Sequence, residues 1–196
     1  VRGRKITDFC DEQRLGIRQR LGLFIEVCQA IQHAHQKGVI HRDIKPSNVL
    51  VSMQDGKPQP KVIDFGIAKA TDGSELTPGL TDAGGQPMGT LASMSPEQAA
   101  SGGIDVDTRS DVYSLGSLLY ELLCGRPAFD PAELAAAGYP AALEILLHRA
   151  VPAPSSVIEG LDPAEAAALA GCRNTDVAKW ISAVRGDLDQ VVAKCL

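Results

Sequence analysis

The sequence has no long hydrophobic run and no paired cysteines. No uninterrupted apolar stretch approaches the ~18 residues that a membrane-spanning helix needs, and no basic start precedes an apolar signal-peptide core. The five cysteines are odd in number and scattered without a C-x-x-C pair, so neither a disulfide framework nor a zinc site is predicted. We therefore expect a segment that is not itself inserted in a membrane, with reduced thiols that fit a cytoplasmic location.

An excess of positive charge is also missing. The formal net charge of −5 at pH 7 argues against a nucleic-acid backbone or an anionic membrane as the main partner. The basic residues near the N-terminus are interrupted by acidic ones, and we interpret them as a solvated face. With 44% hydrophobic residues over 196 positions, the chain can bury the core of one domain or one large lobe.

Several helices are indicated by apolar periodicity and by capping residues. A stripe at alternating steps of four and three predicts an amphipathic helix from Ile17 past Ile31, which Gly38 can close. Further along, Ser95 stands as an N-cap three residues before Gln98, the pattern of a capping box. One helix is thus expected before the polar stretch at residues 39–50 and another after it.

Three more helices are predicted in the C-terminal half. Asp130 and Asp162 each precede a proline and open an alanine-rich helix, and Gly171 can close the second one. Between Val112 and Leu123 apolar residues cover most of the helical circumference, which predicts a central, buried helix.

A small hairpin is indicated between these helical regions. The β-prone runs at 49–51 and 61–65 flank the pair Asp55-Gly56, which is a strong turn signal. The following stretch, 70–89, is rich in Gly, Thr, Asp and Pro, and we assign it to a long loop.

The stretch VIHRDIKPSNVL, residues 39–50, concentrates polar groups between two β-branched runs. Asp43 follows a short extended segment and Asn48 lies in the same loop, while Asp64 ends the next strand. The oxygens of Asn48 and Asp64 suit Mg²⁺ that takes further ligands from nucleotide phosphates. Asp43 is then left for the substrate, and Lys45 adds positive charge, as phosphoryl transfer requires.

Four motifs in this order resemble those of protein kinases. HRDIKPSN, DFG at 64–66, SPE at 95–97 and DTRSDVYSLG from Asp107 are similar to the catalytic loop, the metal-binding triplet, the end of the activation segment and the central helix of the C-lobe. The chain most resembles bacterial eukaryotic-like protein serine/threonine kinases, and Lys45 followed by Pro46 favours Ser/Thr over Tyr specificity.

The resemblance implies an α+β fold of the protein-kinase C-lobe type, mainly α-helical with a small β-hairpin at the catalytic cleft. It covers 1–196, with the catalytic loop at 39–51, the activation segment at 64–97 and the central helix at about 108–124. The implied reaction transfers the γ-phosphoryl group of Mg-ATP to Ser/Thr hydroxyls of protein substrates.

The resemblance also implies residue roles. Asp43 matches the catalytic aspartate, Lys45 the phosphate-contacting lysine, and Asn48 and Asp64 the metal ligands. Thr90 matches the threonine that contacts the catalytic aspartate and lysine, and Arg42 resembles the arginine that pairs with an activation-loop phosphate. His41 and Phe65 resemble members of the hydrophobic spine. Asp111 resembles the aspartate that ties the catalytic-loop backbone to the central helix, and Glu97 the glutamate whose usual partner is an arginine of a later helix. The phosphorylated residue of the loop is hypothesised to be Thr71, Ser74, Thr77 or Thr81.

The chain departs from the kinase pattern at two places. No G-x-G-x-x-G loop and no V-A-I-K-like lysine precede Ile17, so we expect the N-lobe to be missing and these 196 residues alone to have little activity. Leu91 and Ser93 stand where related kinases usually have proline and tyrosine, which puts the peptide-docking pocket in doubt.

Two alternatives remain open. The chain could be a kinase-like interaction module or truncated product without catalysis, which the missing N-lobe favours and the retained polar set disfavours. A small-molecule phosphotransferase is disfavoured by the SPE segment. His33 and His35 are expected at ordinary helix-surface positions, and Trp180 is expected to pack a late helix on the core.

Overall fold

The structure, a computed structural model, describes residues 3–65, 91–101 and 107–196. It is an α+β fold in which helices surround one buried central helix and a three-stranded antiparallel sheet lies at one side. In chain order, the elements are β1 (Arg4–Lys5), α1 (Ile6–Glu12), α2 (Ile17–Gln36), a 3-10 turn (Pro46–Asn48), β2 (Val49–Gln54), β3 (Lys57–Val62), α3 (Pro96–Ser101), α4 (Thr108–Cys124), α5 (Pro131–Ala137), α6 (Tyr139–His148), α7 (Pro154–Glu159), α8 (Pro163–Gly171), α9 (Val177–Val184) and α10 (Asp187–Cys195).

The predicted hairpin is confirmed, although its second strand is shifted. Asp55 and Gly56 have φ of 49° and 75°, as a two-residue primed turn requires, and Gln54 pairs directly with Lys57. Because the ladder begins right after the turn, β3 covers 57–62 and the predicted bounds of 61–65 are wrong. The sheet order is β1-β2-β3, so the prolines of β3 lie on an edge strand, where no outer hydrogen bond is lost.

Helix α2 begins at Ile17 and ends shortly before Gly38, whose φ of 74° turns the chain away as predicted. Its most buried apolar positions are Leu23, Val27 and Ile31, spaced four apart. The predicted stripe was therefore offset, because the flanking residues of α2 such as Phe24 pack between two hydrophobic clusters instead of facing one.

Helix α4 is the buried centre of the molecule. Leu118 faces the cluster formed with α1, α2 and β2, whereas Leu123 faces the cluster formed with α7 to α10. Gly116 lets α10 approach, since a Cβ at this position would lie 2.5 Å from the Cβ of Cys195. Val112 is 43% exposed whereas Tyr113 is 7% exposed, so Val112 does not belong to the buried face of α4 as predicted.

The predicted N-caps of α5 and α8 are confirmed. Asp130 and Asp162 each accept a hydrogen bond from the backbone N–H two residues further on, at 2.8 and 2.9 Å. Helix α8 ends at Gly171, as predicted, and the left-handed residue that follows it is Asn174, with φ of 50°. Asparagine tolerates this conformation better than most other residues do.

Trp180 packs α9 against the end of α4, as predicted. Its side chain is fully buried, and its Nε1–H donates to the Leu123 carbonyl at 2.9 Å. The Arg173 guanidinium carbon lies 4.6 Å from the centre of the Trp180 ring, and its Nε–H donates to the same carbonyl at 3.1 Å. Both side chains thereby satisfy carbonyl groups that the last turn of α4 leaves without helical partners.

Candidate active site

The buried carboxylate of Asp111 holds the start of the catalytic loop. It lies in the first turn of α4 and accepts hydrogen bonds from the backbone N–H groups of His41 and Arg42, each at 2.8 Å. The Nε2 of His35 lies 2.7 Å from the same carboxylate. Because charge-assisted hydrogen bonds in a buried site are strong, Asp111 joins α2, the catalytic loop and α4.

The backbone of Arg42 adopts a left-handed conformation with φ of 66°, which is uncommon for a residue other than glycine. Its carbonyl accepts a hydrogen bond from Nε2 of Gln98 at 2.9 Å. The same Gln98 side chain accepts from the Ser95 backbone N–H at 3.2 Å and so completes the predicted capping box of α3. Gln98 therefore connects the start of α3 to the catalytic loop.

The buried ring of His41 bridges the catalytic loop and the end of β3. Its Nδ1 accepts from the Asp43 backbone N–H at 3.3 Å, and its Nε2 lies 3.0 Å from the Ile63 carbonyl. Burial lowers the pKa of His41, although the Ile63 carbonyl and the nearby carboxylates of Asp43 and Asp64 oppose this. A neutral ring with one acceptor and one donor nitrogen fits both hydrogen bonds. The Phe65 ring packs on it at 4.6 Å between centroids.

The Asp43 carboxylate is held by two neighbours from its own loop. The Nζ of Lys45 lies 2.9 Å from Asp43 Oδ2, and the Nδ2 of Asn48 donates to the same oxygen at 2.9 Å and to the Asp43 carbonyl at 2.8 Å. Asn48 is buried at the end of the 3-10 turn. The amide nitrogen of Asn48 thus orients Asp43, and its Oδ1 is the atom left for a cation.

The end of β3 is tied to the same loop. The Ile63 backbone N–H donates to the Asn48 carbonyl at 2.9 Å, one residue before Asp64. Asp64 is exposed and has a positive φ of 56°, an unusual conformation for aspartate that tends to occur at functional sites. The two loops that sequence analysis predicted to converge therefore lie side by side, with Asp43 and Asp64 both near His41.

Glu97, in the first turn of α3, accepts a hydrogen bond from the Ser110 hydroxyl of α4. Burial by itself would raise the pKa of Glu97, but hydrogen bonds from Ser110 and from backbone N–H outweigh it and hold the pKa below its usual value. The family resemblance gave an arginine of a later helix as the usual partner of Glu97 and left that partner in doubt here; within the described residues the Ser110 hydroxyl donates to this carboxylate.

Some predicted residues lie outside the part of the chain that the structure describes. These are Thr90, the DFG glycine Gly66 and the candidate phosphorylation sites Thr71, Ser74, Thr77 and Thr81. Among predicted residues that the structure does describe, the cluster around the catalytic loop contains Arg42, His41, Asp43, Lys45, Asn48, Asp64, Phe65 and Asp111.

Sequence analysis missed two residues of this cluster. His35 was expected on the helix surface, as His33 is, but its side chain contacts Asp111. Gln98 was identified only as a capping residue, although it also bonds the catalytic loop. No periodicity could have indicated either contact, because both partners lie more than 50 residues away in the chain.

The donor set suits a cation that is shared with a nucleotide. Within residues 3–65, 91–101 and 107–196, no three His, Cys, Asp or Glu side chains gather as a complete metal centre. The amide oxygen of Asn48 and the carboxylate of Asp64 supply two hard oxygen donors from adjacent loops. A hard divalent cation commonly combines so few protein ligands with phosphate oxygens and water, so these residues fit such an ion.

Comparison with known proteins identifies the family. The family model described as the protein kinase domain matches residues 1–184 of this chain. The chain belongs to the protein kinase domain family. Members of this family are transferases that use ATP and a divalent metal ion and act on proteins.

The similar curated proteins are bacterial kinases. A probable serine/threonine-protein kinase of Corynebacterium efficiens is 39% identical over 167 residues, which is 85% of this chain and 23% of that protein. The serine/threonine-protein kinase PknB of Mycobacterium tuberculosis is 45% identical over 112 residues, 57% of this chain and 17% of PknB. This kinase chain therefore spans about a fifth of the length of the curated relatives it matches.

Solved kinase structures share the fold. A double-mutant form of the Mycobacterium tuberculosis PknI kinase domain superposes with a TM-score of 0.54 and 25% identity, covering 98% of this chain and 64% of that one. A single-mutant form gives a TM-score of 0.52 and 26% identity, covering 95% and 63%. In the described part of this kinase chain, no helix combines the length and the apolar character needed to span a bilayer.

Proposed function

We propose that this chain is the C-lobe of a protein serine/threonine kinase that transfers the γ-phosphoryl group of Mg-ATP to Ser/Thr hydroxyls of protein substrates. The observation that carries the proposal is the Asp43 carboxylate, oriented by Lys45 and Asn48 at 2.9 Å each on a loop that Asp111 anchors. Such a fixed carboxylate is what in-line phosphoryl transfer asks of a protein.

Asp43 accepts the proton of the substrate hydroxyl as its oxygen attacks the γ-phosphorus, and ADP leaves with the bridging oxygen. Lys45 lies beside this carboxylate and places positive charge where the phosphate oxygens pass. General-base assistance of this kind contributes ~10² to 10⁴ in rate.

Asn48 and Asp64 are the proposed ligands of Mg²⁺, which when bound neutralises charge on the phosphate oxygens. His41 and Phe65 support these residues by packing the two loops together. The pairing of Arg42 with an activation-loop phosphate and the contact of Thr90 with Asp43 and Lys45 are proposed from the family resemblance alone, and the phosphorylation sites stay a hypothesis.

The matched part of the PknI kinase domain is 64% of its length, and we propose that turnover by these 196 residues needs the remainder of such a domain. An ATP-dependent reaction and five free cysteines support a cytoplasmic site of action. The sequence-level alternative, an interaction module without catalysis, becomes an outcome of the following test.

The test is transfer of labelled γ-phosphate to a protein substrate by the protein in its full encoded length. We expect Asp43→Asn to lower kcat by ~10² to 10⁴, the usual contribution of a catalytic base, without changing the fold by circular dichroism. Asp55→Asn is the matched control, since it removes the same charge at the hairpin turn, where asparagine tolerates the positive φ of 49°. Equal labelling by Asp43→Asn and wild type would contradict the role of Asp43, and no labelling by wild type would favour the interaction module.

A further inference from the structure

Two half-buried cysteines, Cys28 on α2 and Cys195 at the end of α10, lie where these helices meet the central helix α4. All five cysteines are free thiols in this structure. Cys10 and Cys124 are buried, whereas Cys28 and Cys195 keep partial access to solvent. Neither Cys28 nor Cys195 belongs to the candidate active site.

A notch in α4 receives Cys195. A Cβ at Gly116 would lie 2.5 Å from the Cβ of Cys195 and 3.3 Å from a methyl carbon of Leu196. Gly116 stands three residues before Leu119 and therefore shares its face of α4. This face packs against the hydrophobic cluster to which α10 contributes Val192. The thiol of Cys195 thus starts from a position directly on α4.

Cys28 lies on the side of α2 that faces the same cluster. Ile17, Leu21 and Phe24 pack against this cluster, and so does Leu196 at the end of α10. Cys28 continues the alternating steps of four and three that separate the three α2 residues, so it shares their helix face. The side chain of Cys28 is therefore directed to the side from which α10 approaches.

Helices α2 and α4 run antiparallel. At one end, the Nε2 of His35 near the end of α2 lies 2.7 Å from the Asp111 carboxylate in the first turn of α4. At the other end, Arg173 donates to the Leu123 carbonyl in the last turn of α4 at 3.1 Å. The carbonyl of Arg173 in turn lies 3.6 Å from where a Cβ of Gly16 would be, directly before α2.

This antiparallel packing places Cys28 at the level of the notch. Cys28 precedes His35 by seven residues, and Gly116 follows Asp111 by five. At about 1.5 Å per residue, the two positions are displaced from the contact between His35 and Asp111 by about 10 Å and about 8 Å in the same direction. Cys28 and Cys195 therefore reach the same part of the α4 surface from two sides.

The two thiols also influence each other's charge. Burial, and after it the charge of the Cys195 thiolate, raise the pKa of Cys28 to about 11. Burial likewise raises the pKa of Cys195. Because the thiolate is the form that attacks a disulfide, both cysteines react slowly at neutral pH and faster as the pH rises.

We propose that Cys28 and Cys195 are a site of reversible disulfide formation, which locks α10 against α2 beside Gly116. The oxidant class is a small-molecule disulfide such as glutathione disulfide. The site goes beyond the proposed kinase function and does not depend on it.

The chemistry is two successive thiol–disulfide exchanges. One cysteine thiolate attacks a sulfur of the oxidant, a mixed disulfide forms and one small-molecule thiolate leaves. The thiolate of the second cysteine then attacks the protein sulfur of the mixed disulfide and expels the other small-molecule thiolate. The two cysteines lose two electrons and two protons, and the oxidant is reduced to two thiols.

The test treats the full-length protein with glutathione disulfide, blocks the remaining thiols, digests the protein without reduction and quantifies linked peptides by mass spectrometry. We expect the fraction of Cys28 linked to Cys195 to be about fivefold or more above that in concentrated urea, because only the folded chain gives the two thiols a high effective concentration. Dithiothreitol should reverse the linkage. Its rate of formation should rise about tenfold per pH unit between about pH 7 and about pH 9, with the thiolate fraction.

Three serine variants assign the linkage. Cys28→Ser and Cys195→Ser are each expected to abolish it. Cys172→Ser is the matched control, since Cys172 is a half-buried cysteine beyond the end of α8, and it should keep the wild-type linkage. In oxidised wild type and oxidised Cys172→Ser, amide hydrogen exchange in α10 should be slower by about tenfold than in the reduced proteins, because local opening becomes rarer.

The outcomes decide the proposal. A linkage between Cys28 and Cys195 that is kept in Cys172→Ser, reversed by dithiothreitol and accompanied by slower exchange in α10 supports it. Separate glutathione adducts on Cys28 and Cys195, or a linkage no more frequent in the folded protein than in urea, overturn it. Unchanged exchange in α10 of the linked protein overturns the lock. None of these measurements involves phosphoryl transfer, so the kinase function is tested separately.

Discussion

Glu121 gives the stability of this protein a pH dependence that can be worked out from the structure. Its carboxyl is half-buried, and its pKa rises from 4.5 to about 7 on folding, chiefly by burial. Because the folded-state pKa is raised, the neutral form is preferred in the folded protein. Its contribution is therefore fully present below pH 4.5 and is lost as the pH rises through 7.

The magnitude follows from the shift. A change of about 2.5 pKa units corresponds to about 3.4 kcal/mol at most, and the partial solvent exposure of Glu121 reduces this to about 1–2 kcal/mol. Glu121→Gln removes the titration. We expect the free energy of unfolding of the variant, relative to that of wild type, to increase by about 1–2 kcal/mol as the pH rises from 4.5 to 8.

The assay is urea unfolding of both proteins at several pH values, with the difference between them plotted against pH. The other charged groups near Glu121 are Lys5, Asp8, Asp11 and Lys45, and they are the same in both proteins, so their effects cancel in this difference. Glu159→Gln, which removes a carboxylate from the exposed ion pair with Arg185, serves as the control and should show no such rise. A difference for Glu121→Gln that stays flat from pH 4.5 to 8, or that falls, would refute the argument.

Two packing and anchoring predictions can be checked in the same unfolding assay. Gly116→Ala should lower the free energy of unfolding by about 1–3 kcal/mol because of overpacking against Cys195. The control Gly22→Ala, where nothing lies within 4 Å of the added Cβ, should raise it by about 0.5–1 kcal/mol through helix propensity. Equal effects of the two substitutions would show that α4 and α10 are not in close contact. His35→Phe keeps an aromatic ring but removes one hydrogen bond from buried Asp111, so we expect a loss of about 1–3 kcal/mol, and His33→Phe, at an exposed position, should be nearly neutral.

Local rules account for much of what could be predicted. The N-caps at Asp130 and Asp162, the primed turn at Asp55-Gly56 and the start of α2 at Ile17 each depend on a few neighbouring residues. Such interactions are formed within one turn or one hairpin, so the sequence specifies them directly. The bounds of β3 were missed because cross-strand pairing overrode the low strand propensity of its two prolines.

The sequence by itself also determined which polar residues stand together in the catalytic loop, since Asp43, Lys45 and Asn48 are only five positions apart. Only the tertiary structure decided that His35 and Gln98 hold that loop, and that Glu121 and Lys45 line the same small pocket. These contacts join residues from distant elements, and their partners are set by how α2, α3 and α4 pack. Helical periodicity states which face of a helix is apolar, but it carries no information on which distant side chain meets that face.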